Sequence, residues 1–288
     1  MVLLLSLFFC DARNSKRHIF NNYGHNIAPT KSVINKCFQN LIINRELFLK
    51  MKFIHTLFYL ALLLSFTNVL AEDMAEENDL SSFIEGRFNP KKQSNFVKIN
   101  KKYSSRSNFY LHKEVYEAFI KMSEQAKKDN IDLKIVSATR NFNRQKAIWE
   151  RKWKKSKLSE PMARAKEILR YSSMPSTSRH HWGTDIDINS VRPSYFSSGK
   201  GEKEYLWLKN NAKDFGFCQP YTEKGEERKT GYFEEKWHWS YTKIAKQYTD
   251  HVKEHLTNNK IHGFVGSETA IDIDIISNYI LGINKNCL

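Results

Sequence analysis

Two short stretches of this 288-residue chain hold imidazoles and carboxylates at spacings that permit joint chemistry. The first is Ser178-Arg179-His180-His181-Trp182-Gly183-Thr184-Asp185-Ile186-Asp187-Ile188-Asn189. The second is Glu234-Glu235-Lys236-Trp237-His238-Trp239-Ser240-Tyr241. A catalytic zinc takes three protein ligands and keeps one exchangeable position for water. His180, Asp187 and His238 can supply the three, with Gly183 turning the chain so that His180 and Asp187 reach one ion. Water on such an ion ionises near neutral pH and can attack a carbonyl. A carboxylate must then carry the proton from the water to the leaving amine. Glu234 and Glu235 both stand close to His238. Strand alternation puts Glu234 on His238's face, so Glu235 needs a turn or bulge to reach the same place. Asp185 points to the same side as Asp187. It is either a hydrogen-bonding support for a ligand or an alternative ligand.

These side chains need elements to hold them. Thr184 to Asn189 alternates Thr-Asp-Ile-Asp-Ile-Asn and reads as a strand, with Ile186 and Ile188 on the face opposite the carboxylates. Gly231 to Tyr241 reads as a second, aromatic-rich strand whose pleat turns Trp237 and Trp239 away from His238. Asp132 to Ala138 is a third strand pattern. Helical spacing marks Tyr110 to Asn130, where Leu111, Val115, Phe119, Met122 and Ala126 recur on one face. Further helices are expected over Asn143 to Lys155, Met162 to Tyr171, Tyr205 to Phe215, Lys243 to Leu256 and Ala270 to Leu281. Strands and helices do not alternate as regular βαβ units. The expected class is α+β: a small antiparallel sheet carrying the zinc site, packed with helices.

Ser178-x-His180-x-x-Gly183-x-x-x-Asp187, followed by Glu235-x-Trp237-His238, resembles the signature of the VanY-type D-alanyl-D-alanine carboxypeptidases. These belong to a wider zinc family that includes lysostaphin-type peptidases and the hedgehog domain. The resemblance spans roughly residues 110–245. It implies Zn2+ held by His180, Asp187 and His238, and Glu235 rather than Glu234 as the base. The spacing to Gly183 and Asp187 selects His180 over His181. Ser137-x-x-Arg140, followed by Gln145, resembles the family's substrate-binding element. Arg140 then inherits the substrate carboxylate or the developing oxyanion, with Gln145 and Ser178 as further substrate-binding residues. Asp185 stands where the family usually has Ala. The implied activity is removal of the terminal D-alanine from a peptidoglycan stem peptide. An endopeptidase or D,D-dipeptidase with the same zinc chemistry, or a non-catalytic zinc-containing cell-wall-binding domain, are the alternatives.

Composition sets the surroundings. Hydrophobic residues make up 41% and aromatics 13%, enough for a core, and the net charge is +15. Lys50-Met51-Lys52, the apolar run from Phe53 to Phe66 and small Ala71 describe a secretory signal peptide over 51–71. Met51 is then the natural start, and residues 1–50 an upstream extension. Eight basic and two acidic residues lie in 1–71, so the remaining chain carries +9. With no nucleic-acid-binding motif, that charge points to an anionic cell envelope and not to DNA or RNA. The implied setting is exported, periplasmic or cell-envelope, with no stable membrane insertion after leader cleavage. Residues 72–108 read as a linker or loose N-terminal arm, 109–250 as the catalytic domain and 251–288 as a C-terminal helical extension. Cys10, Cys37, Cys218 and Cys287 form no CxxC pair. Cys218 and Cys287, the pair left after the leader, are expected to form a disulfide.

Overall fold

Residues 31–288 are described by a computed structural model. Cys10 and most of the upstream extension, residues 1–30, lie outside the described residues. The chain divides into two units, Met1–Met74 and Ala75–Leu288. Helix α1 (Lys31–Ile84) is continuous through the stretch expected as a leader. Its segment Phe38–Thr67, 30 residues at mean hydropathy 1.7, is long and apolar enough to cross a membrane. A signal sequence passes the same test of length and composition.

The second unit is built on two small antiparallel sheets. In the first, β1 (Phe96–Lys98) pairs with β2 (Tyr110–His112). The second runs in the order β3 (Ile135–Ser137), β4 (Asp185–Ile188), β6 (His238–Tyr241), β5 (Phe217–Cys218). Register places Asp187 opposite His238, Asp185 opposite Ser240 and Ile186 opposite Trp239. Helices pack around these sheets, giving an α+β fold.

Helix α2 (Lys113–Lys128) buries Val115, Phe119, Met122 and Ala126, one stripe at helical spacing. Its expected first residues, Tyr110 to His112, belong to β2, because β1 offers them a partner strand. Helix α3 (Phe142–Lys155) starts where the Asn141 side chain accepts from Arg144 N–H at 3.0 Å, and it buries Trp149 and Trp153. Shorter α4 (Pro161–Ile168) is capped by Glu160. Helix α5 (Gly199–Asn211) begins six residues before its expected start and passes into a 3-10 turn over Ala212–Phe215. Helix α6 (Thr242–His255) follows β6 directly. The last expected helix is broken: α7 (Thr269–Ile273) stops at Asp274, whose φ of 49° is left-handed, and a π turn covers Ile276–Ile280.

Residues 84–109 are packed, not a loose arm. Ile84, Phe96, Ile99, Tyr103 and Phe109 are all buried. Their polar neighbours mask these anchors in a composition reading. Burying each such side chain stabilises by about 1.5–3 kcal/mol. The C-terminal stretch is packed as well: Trp149 Nε1–H donates to Val265 O at 2.8 Å, and Asn284 N–H donates to Pro220 O at 2.8 Å. Cys218 and Cys287 are disulfide-bonded, with Cα atoms 5.6 Å apart.

Candidate metal centre and peptide cleft

His180 sits in a 3-10 turn, Arg179–Trp182, that ends at Gly183 with φ 72°. A Cβ at Gly183 would stand 2.4 Å from the Phe96 ring, so both the backbone angle and the space require glycine. Past that turn β4 carries Asp185 and Asp187 back beneath the imidazole. His180 Nε2 lies 3.2 Å from Asp187 Oδ1, and His238 Nδ1 lies 3.1 Å from the same oxygen. His180, Asp187 and His238 each bring one donor atom within 4.8 Å of the others, and all three are buried. Their outer atoms are already committed. His180 Nδ1–H donates to Ala138 O at 3.1 Å, which leaves Nε2 with its lone pair facing inward. His238 Nε2–H donates to Asp185 Oδ2 at 2.8 Å, which leaves Nδ1 facing inward. Two imidazole nitrogens and a carboxylate oxygen, each ring braced from behind, are a donor set that suits zinc.

Charge at this cluster is finely opposed. Burial, with Arg140 nearby, pushes His180 down to about 4. Burial also presses on His238, but its bonds to Asp185 and Asp187 outweigh that and raise it to about 9. Burial would lift both aspartates. For Asp185 the Arg179 guanidinium and His238 prevail, and for Asp187 His180 and His238 do, so both carboxyls stay below the usual range. Asp185 is enclosed: Arg179 Nε–H donates to it at 3.1 Å, Thr184 Oγ1–H at 2.7 Å and Ser240 Oγ–H at 2.8 Å. Its second oxygen therefore supports His238 rather than joining the triad.

Glu235 reaches the cluster through a turn. The strand is shorter than its pattern suggests and covers only His238–Tyr241. Lys236 and Trp237 form a turn closed by His238 N–H donating to Glu235 O at 3.2 Å. This returns the Glu235 carboxylate to 3.6 Å from His238 Nδ1. Glu234 instead accepts from Tyr205 O–H at 3.2 Å. Burial raises Glu235 to about 8, with Asp187 adding to the rise and His238 opposing it. The same turn takes Trp237 out of the pleat, so it lines the cleft instead of facing away from His238.

The cleft over the cluster encloses about 220 Å³ and is lined by Arg140, Gln145, Ser178, His180, Asp187, Glu235 and His238 together. Arg140 Nη1–H donates to Ser137 Oγ at 3.1 Å and stands 3.9 Å from Asp187 Oδ2. Gln145 Nε2–H donates to Ser173 O at 2.7 Å. Gln145 Oε1 and Ser178 Oγ are buried without a partner.

Residues 108–244 match the family model VanY, D-alanyl-D-alanine carboxypeptidase. This stretch is similar to the VanY family. Carboxypeptidase YodJ of Bacillus subtilis (strain 168) is 33% identical over 150 residues, which is 49% of this chain and 50% of that protein. A D-alanyl-D-alanine carboxypeptidase of Enterococcus faecalis (strain ATCC 700802 / V583) is 29% identical over 124 residues, 42% of this chain and 44% of that protein. The alignments thus span half or less of these relatives. A vancomycin-resistance D,D-pentapeptidase VanY, solved with Zn(II), is a loose likeness: 21% identity, TM-score 0.43, covering 57% of this chain and 93% of that one.

Within this stretch, several cleft residues carried no signal in the motifs. Tyr221 stacks near His238, with ring centroids 4.8 Å apart, and its hydroxyl is held well above its ordinary value by burial. Arg179 lies inside the first motif, yet only its fold-back onto Asp185 gives it a task. Lys152 also lines the cleft. Its spacing from Gln145, seven residues along one helix face, is the signal that could have found it.

Proposed function

We propose that this chain is a zinc-dependent D-alanyl-D-alanine carboxypeptidase acting on peptidoglycan stem peptides. The observation that carries the reading is the convergence of His180, Asp187 and His238 beside a buried Glu235. His180 through Nε2, His238 through Nδ1 and Asp187 would hold the ion. When bound, zinc supplies Lewis acidity to the scissile carbonyl and the attacking water. Glu235 takes the proton from that water and returns it to the departing amine of D-alanine. A carboxylate whose proton affinity burial has raised toward neutrality is suited to both transfers. Arg140 meets the terminal carboxylate or the developing oxyanion, and Gln145 and Ser178 offer polar atoms to the same end of the peptide. Residues 51–71 act as the export leader, and the enzyme works in the cell envelope with no nucleic-acid partner.

Incubation with a pentapeptide-bearing muropeptide should release free D-alanine. Glu235→Ala should keep its zinc and lose about 10²–10⁴-fold in rate. Stem fragments in place of D-alanine, or unchanged turnover in the variant, would contradict the reading.

A further inference from the structure

Helix α3 presents three residues to the cleft in one row, Gln145, Ile148 and Lys152, while Trp149 and Trp153 hold its adjoining face in the core. Lys152 is half-buried, and its Nζ donates to the Ser172 hydroxyl at 2.5 Å. Among the described residues no carboxylate lies within ion-pair distance of that ammonium. The other cleft cations are engaged: Arg140 stands 3.9 Å from Asp187, and Arg179 is bonded to Asp185. Lysines drawn into protein are ordinarily paired with an acid. Here burial weakens the ammonium's hold on its proton, while Glu235 strengthens it. Glu235 acts on the ammonium only from beyond ion-pair distance, and the ammonium lines the space a peptide would occupy.

Position along the helix says which part of the peptide this is. Gln145 and Lys152 are separated by about 10 Å of helix rise. That is the length of about three residues of extended peptide. Gln145, beside Arg140, belongs to the end where the terminal carboxylate is bound in the reading above, on which this step rests. Ile148, between them, offers an apolar contact to the intervening residue.

We propose that Lys152 is a specificity-determining residue that binds a second carboxylate of the substrate, two to three residues from its C-terminal carboxylate. The preferred substrate is therefore an acidic peptide and not merely one ending in D-alanine. Lys152 provides a charge-assisted hydrogen bond to that group, and Ser172 holds the ammonium in place.

The test is binding by titration calorimetry to the full-length, zinc-loaded chain carrying Glu235→Gln, so that peptide is not consumed. Three peptides ending in D-alanyl-D-alanine are compared: one with an internal free carboxylate, one with that carboxylate amidated, and one with the C-terminus amidated. Lys152→Ala should weaken the first by about 10-fold or more, the usual worth of a charged hydrogen bond. It should leave the internally amidated peptide unaffected and still weaken the C-terminally amidated one. Lys152→Arg should restore most of the loss. Equal weakening of all three peptides would overturn the inference, as would an effect abolished by amidating the C-terminus, or no binding of the acidic peptide. D-alanine release by the unsubstituted chain is measured separately. An acidic peptide that couples to Lys152 yet is never hydrolysed would keep this inference and sink the carboxypeptidase reading.

Discussion

His181 shows how a residue beside the cluster governs stability without sharing its chemistry. It is fully buried, and its Nδ1–H donates to Arg140 O at 2.5 Å. Burial, with Arg140 and His180 nearby, pushes it down to about 3. The unfolded ring titrates near ~6.5. Its contribution is therefore complete above ~6.5 and is lost as pH falls toward the folded value, about 2 kcal/mol between pH 8 and pH 5. Urea unfolding of His181→Gln should show a stability gap to the unsubstituted chain that narrows by that amount over this interval. Parallel curves would contradict it. Asp185 acts on the neighbouring ring. Asp185→Asn removes the charge behind His238 and should lower zinc affinity about 10- to 100-fold in chelator competition. Unchanged affinity would leave Asp185 a counter-ion of Arg179 alone. The triad was legible because its residues sit at fixed offsets from one glycine and one tryptophan. Arg179 and Lys152 were not: Arg179 gains its task only when the turn folds it onto Asp185 and Ser240, and Lys152's partner Ser172 is 20 residues away.

Elements set the geometry that those residues use, and the turn at Gly183 is the most sensitive. Gly183→Ala must adopt a left-handed backbone, about 1–2 kcal/mol, and must also displace the Phe96 ring. A loss of at least about 2 kcal/mol in denaturant unfolding is expected, and a loss below 0.5 kcal/mol would mean the turn relaxes freely. Alternation read β4 well, because Ile186 and Ile188 are both core residues. It overran β6, because Gly231 to Trp237 is aromatic-rich like a strand yet forms no ladder with a partner strand. The turn over Lys236–Trp237 is what separates Glu235 from Glu234. Periodicity alone has no access to it, and the family motif supplied the choice instead.

At the scale of the whole molecule, the segments outside the motif region are part of the packed unit from Ala75 onward. Their sparse apolar anchors, such as Ile84, Phe96 and Ile280, are spaced too irregularly for a pattern reading. The Cys218–Cys287 bridge spans 69 residues of sequence, so reducing it should cost about 4 kcal/mol on the chain-entropy account. Thermal melts with and without reductant should separate clearly; superposed melts would mean the packing of the C-terminal stretch suffices alone. All of this framework brings two imidazoles and an aspartate within 4.8 Å of one another, beside a glutamate. Metal analysis of the dialysed full chain tests that most directly, alongside His180→Ala, Asp187→Ala and His238→Ala variants that remain folded. About one zinc per chain is expected, lost from each variant together with D-alanine release. A chain that retains no stoichiometric divalent metal, or variants that all retain it, would contradict the account.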